Sequence, residues 1–128
     1  MKWITPDRLL RLILIIVLLT HSLPSIFTGD VNNFGKLYLD AVGFAPFGLA
    51  LAWLIKLSHV ACAVSLMVNR FVKPLGMVTI FIWIVGIFMV HWKDGWFVIG
   101  GGRNGIEYNV FLIVVMTAVL INPQKAKA

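Results

Sequence analysis

Four long apolar stretches separated by short polar segments divide this chain. Residues 12–29, 74–92 and 108–124 contain no Asp, Glu, Lys or Arg, and residues 41–69 contain only Lys56. Crossing about 30 Å of hydrocarbon takes roughly 20 apolar residues rising about 1.5 Å each. The pattern therefore predicts an all-α integral membrane four-helix bundle, one domain over residues 1–128, with spans near 8–27, 46–69, 71–92 and 105–122.

Local signals place the ends. Pro6-Asp7 fits a first helical turn, Pro46 is expected to open the second helix, Asn69 and Pro74 bracket a tight turn, and Gly105 precedes the fourth helix. Pro24 lacks an N–H and crowds the carbonyl of Thr20, so the first helix is expected to kink or end near His21. Between the first two spans, a short interfacial helix is expected around 34–42. Trp3, Trp92 and Trp96 fall at expected membrane interfaces, whereas Trp53 and Trp83 lie deeper, as packing residues. The first span is expected to be retained rather than removed as a signal peptide, because no small-residue cleavage site follows it.

Composition agrees with the spans: 60% of residues are hydrophobic and 12% charged, a balance foreign to water-soluble domains. The net charge of +6 would suit a nucleic-acid partner, but its distribution argues otherwise. Seven of the eleven basic residues (Lys2, Arg8, Arg11, Arg70, Lys73, Lys125 and Lys127) flank alternate ends of the spans. The positive-inside rule then puts both termini in the cytoplasm, in a multi-pass protein of the cell (cytoplasmic or inner) membrane whose first partner is the lipid bilayer, with no nucleic acid.

Candidate chemistry comes from the polar residues that interrupt the spans: His21, Lys56, His59, His91 and Glu107. An ionisable group in a span costs about 2.5–3.5 kcal/mol on insertion scales and so faces a protein interior or water. Taken singly, each has a structural reading: Lys56 snorkels or pairs with Glu107, His91 anchors at the interface, and His59 bonds a carbonyl. Taken together, they point to a polar pocket opening outward, where imidazole and carboxylate groups could hold a quinone carbonyl or relay protons. The chain supplies no flavin, haem or iron–sulfur motif, and its dispersed histidines lack metal-ligand spacing, so no cofactor is expected within it. The single cysteine, Cys62, excludes a dithiol within the chain and reads as a packing residue. Gly100-Gly101-Gly102 lacks the residues of a phosphate loop and reads as a turn.

Arg8-Leu9-Leu10-Arg11 ahead of an apolar run to Thr20-His21-Ser22, the stretch from Val90-His91 to Trp96-Phe97, then Gly101-Gly102 and Glu107-Tyr108 resemble the DoxX family. The likeness covers nearly the whole chain. It implies a four-span inner-membrane protein of bacteria or archaea, the family being named after the small subunit of an archaeal thiosulfate:quinone oxidoreductase. By position, His21, His91 and Glu107 correspond to the family's recurrent polar residues, with Tyr108 beside them. Where relatives place a glutamate in the second span, this chain has Lys56 and His59, which reverses a charge and leaves Lys56 as an intramembrane partner for Glu107. Two function classes follow. One is a quinone-linked or otherwise redox-associated membrane subunit served by a soluble or membrane redox partner. The other is a non-catalytic protein that binds a lipid or small molecule, or anchors and assembles a complex. Small-residue stripes such as Ala61 and Ser65, or Gly76 and Gly86, suit intrachain packing and homo-oligomers alike.

Overall fold

The structure is a computed structural model that describes residues 2–122. It is all-helical, with no strand among the described residues. Helix α1 (Pro6–Thr28) opens where Thr5 Oγ1 accepts from Arg8 N at 3.3 Å and closes at Gly29, whose φ of 81° is the left-handed conformation that a side chain resists. The helix does not end near His21. It continues through Pro24, because a proline inside a span is tolerated when neighbouring groups serve the carbonyls around it.

Helix α2 (Asp30–Asn33) runs into a π-helical segment, Phe34–Phe44, broken at Gly43 (φ 118°). A helical segment is thus present where one was expected at 34–42, and it is longer. Helix α3 (Gly48–Val68) begins two residues later than Pro46, which sits in a turn after a cis Ala45–Pro46 bond. Its first turn is met by a side chain from the preceding segment: Gly48 N donates to Asp40 Oδ1 at 2.8 Å. Asn69, at φ 55°, ends α3, and Arg70 N donates back to Ser65 O. Helix α4 (Val72–Gly86) passes into a π turn (Ile87–His91) and a 3-10 turn (Trp92–Asp94). Helix α5 (Glu107–Ile121) follows a glycine-rich loop.

Three helical stretches are long and apolar enough to cross a membrane, Pro6–Thr28, Gly48–Val68 and Val72–Asp94, as in an integral membrane protein. Helix α5 is apolar but has 15 residues, about 22 Å of rise. The sequence-based span reaching Gln124 extends outside the described residues. Helix α1 packs on α3, α3 on α4, α4 on α5 and α5 on α1. Leu14 and Leu18, Cys62 and Leu66, Trp83, and Met116 meet in the core between them. The outer surface is also apolar: Leu12, Ile16, Leu57, Met67, Phe81 and Phe88 are all exposed. Such a surface suits hydrocarbon rather than water as solvent.

The π-helical segment Phe34–Phe44 rests directly on the start of α3. A Cβ at Gly35 would stand 2.6 Å from Leu49 Cα and 2.8 Å from Gly48 O, and one at Gly48 would strike Gly35 O. Backbone cannot yield as a flexible side chain does. Gly35→Ala should therefore destabilise the fold by about 1–3 kcal/mol, as overpacking does. Gly101→Ala, with nothing within 4 Å, should leave the thermal midpoint in detergent unchanged. Equal midpoints for the two variants would refute the close approach.

Candidate functional site

Lys56 lies eight residues into α3, about 12 Å along its axis from Gly48. Its ammonium Nζ donates to His21 O at 2.7 Å and stands 5.4 Å from the centre of the Phe34 ring. The carbonyl belongs to the turn of α1 that leads into Pro24, where the proline disturbs the regular ladder. Phe34 comes from the segment laid over the helix ends. Two elements other than α3 therefore hold the lysine, and no ion pair involving it forms among the described residues.

His21 and Tyr108 carry the cluster across to α5. Tyr108 Oη lies 3.5 Å from His21 Nε2, with ring centroids 6.0 Å apart. One turn beyond Lys56, His59 is 8% exposed and its ring is tilted against that of Trp83 at 6.1 Å. Among the described residues, buried His59 Nε2 has no hydrogen-bond partner, nor has the hydroxyl of fully buried Ser22, next to His21 in sequence.

His91 and Glu107 do not join that cluster. His91 Nδ1 is 2.8 Å from Asn104 O, and Glu107 Oε1 accepts from Val98 N at 2.8 Å. Both are tied to the loop between the 3-10 turn and α5. The six candidate pocket residues thus divide into an interhelical set (His21, Lys56, His59, Tyr108) and a loop-fastening pair (His91, Glu107). The expected Lys56–Glu107 ion pair is also corrected: each group has a different partner. The reason is local, since the first N–H groups of α5 and the loop need partners of their own. Ile106 N donates to Gly95 O and Glu107 N to Trp96 O, at 2.9 and 3.0 Å. Gly105 fits only as glycine, because a Cβ there would stand 2.5 Å from Trp96 O and Phe97 O.

Several residues that matter here gave no signal in the apolar pattern. Asn109, buried on α5, donates through Nδ2 to Trp83 O at 3.1 Å, where α4 widens into its π turn. A π turn is commonly sustained by an inserted polar group, and it redirects the residues beyond it, here toward His91. Asp7 and Arg11 form a buried ion pair at 2.8 Å, and Arg11 Nη1 reaches Asn69 Oδ1 at 3.2 Å. Their i,i+4 spacing could have disclosed the pair. Phe34 and Asn32, whose Oδ1 accepts from Trp53 Nε1 at 2.8 Å, depend on long-range docking that no local spacing encodes. Among the described residues, no three His, Cys, Asp or Glu side chains group as metal ligands.

These partners change what substitution should do. Lys56→Met relieves an insertion cost of about 2.5–3.5 kcal/mol but also loses the bond to His21 O and the contact with Phe34, and it strands no carboxylate, so the thermal midpoint in detergent should change little or fall slightly. Glu107→Ala removes the acceptor of Val98 N and should speed hydrogen exchange at that amide, which Lys56→Met should not. A Lys56→Met variant that loosens the Val98 amide would restore the discarded ion pair. No family model, curated protein or solved structure matches this chain.

Proposed function

We propose that this chain is a DoxX-like four-span membrane protein, with both termini cytoplasmic, whose interhelical polar cluster binds a quinone head group as part of a redox-associated membrane complex. The carrying observation is Lys56, a cation within a membrane-length helix held by a carbonyl and an aromatic face instead of a carboxylate. The Lys56 N–H groups not given to His21 O are donors open to a ligand oxygen. His21 Nε2 and the Tyr108 hydroxyl stand beside it as neutral donor or acceptor groups.

A quinone fits this chemistry because its carbonyl oxygens accept hydrogen bonds and its reduced forms carry negative charge that a cation stabilises. Reduction to the quinol takes up two electrons and two protons. His21 and Tyr108 are the residues placed to pass protons, while the electrons come from a separate redox partner, since no redox motif stands in this sequence. The topology draws support from the bond between Arg11 and Asn69, which joins the start of α1 to the basic α3–α4 turn carrying Arg70 and Lys73. A second reading, a non-catalytic protein binding an anionic lipid head group, draws on the same uncompensated lysine.

Titration of the detergent-solubilised protein with a decyl-tailed benzoquinone separates the two. The quinone reading expects saturable one-to-one binding, weakened about tenfold or more in Lys56→Met and in His21→Ala, the loss expected for a hydrogen bond to a charged group. Gly101→Ala, at a position with nothing within 4 Å, should bind normally. Unchanged affinity in Lys56→Met would refute the reading, and binding of anionic phospholipid with no quinone binding would favour the second.

A further inference from the structure

The ring of Tyr108 belongs to two places at once. Its hydroxyl faces His21 in the interhelical cluster, and the residue also lines a groove of about 690 Å³ on the outer side of α5. That volume lies within the roughly 300–1,000 Å³ usual for small-molecule sites. Val110, Phe111 and Val114 line the groove along one face of α5, and Trp96 and Ile99 of the glycine-rich loop stand against them. Phe111 and Val114 are 61% and 62% exposed, so the groove is open along its side.

Its chemistry is graded. The polar lining groups, Glu107 and Tyr108, lie at the loop end, and the Glu107 carboxylate is already engaged by Val98 N. Beyond them, α5 presents Val110, Phe111 and Val114 to the groove, an apolar wall that suits a hydrocarbon chain. A molecule with its polar ring at His21 and Lys56 would pass Tyr108 and continue along this surface.

We infer that the groove holds the isoprenoid tail of the quinone whose head group occupies the cluster, and that the ligand enters sideways from the bilayer past Tyr108. This rests on the quinone reading above and adds a site, a ligand class and a route. Continuity through Tyr108 selects the tail as occupant over an unrelated acyl chain, because head site and groove then serve one molecule.

The test compares a tailless benzoquinone with the same head group bearing a decyl tail, in identical micelles, on wild type, Val114→Trp and Phe111→Ala. Both positions are exposed, so both variants should fold. Wild type should prefer the tailed form by tenfold or more beyond the preference of Val114→Trp, in which the indole fills the groove, and both should bind the tailless form equally. Phe111→Ala should lose part of the preference. If the tailed-to-tailless ratio is the same in all three proteins, the groove is not a tail site, though the head-group reading stands. If wild type binds neither quinone, both proposals fall.

Discussion

A lysine ammonium in the middle of a membrane-length helix must be neutralised, solvated or bonded, and the way this chain answers that demand organises its interior. Lys56 is bonded to His21 O and covered by Phe34. A hydrogen bond to a charged group contributes about 1.5–3 kcal/mol, and a desolvated cation–π contact about 2. Together these offset the insertion cost of about 2.5–3.5 kcal/mol without a carboxylate. The lysine is thereby accommodated inside a membrane-length helix through a carbonyl and an aromatic ring.

The same bond fixes how α1 lies on α3. Residue 21 meets residue 56, and at the opposite end Arg11 meets Asn69, so the two helices run antiparallel and are clamped by polar contacts near both ends. Between the clamps the contact is apolar. The segment after Gly29 completes the arrangement: Gly35 and Gly48 allow backbone to approach backbone, Asp40 serves the first turn of α3, and Phe34 is delivered onto Lys56. On the other side, Asn109 binds the carbonyl of Trp83 at the π turn while Glu107 and His91 fasten the loop. At these places, backbone groups that hydrocarbon cannot satisfy are met by side chains.

How much was legible in the sequence follows from range. The helices and their approximate bounds were readable, because hydropathy over roughly 20 residues is a local quantity. The helical segment after Gly29 was foreshadowed by its own composition. Pairing was not readable: depth along each helix placed Lys56 and Glu107 near enough to suggest an ion pair, yet depth says nothing about which face or neighbour a side chain meets. His91 and Glu107 read as members of a pocket because residue type reveals chemistry and not allegiance, and backbone N–H groups in a nearby loop competed for them. Asn109 and Phe34 lay inside apolar or loop sequence and acquire meaning only through tertiary contact. His21, Lys56 and His59 stood out as ionisable groups in apolar spans; of the three, His59 is buried, Lys56 is half-buried, and His21 is exposed and meets Lys56 through its backbone carbonyl.

The most direct test of the central claim, that His21, Lys56 and Tyr108 form a ligand site for a quinone, is native mass spectrometry of the protein extracted gently from a quinone-containing membrane. The account predicts one quinone per chain in the wild-type protein, absent from Lys56→Met extracted in the same way. Wild-type protein that emerges without quinone, or a Lys56→Met protein that retains it, would contradict the account.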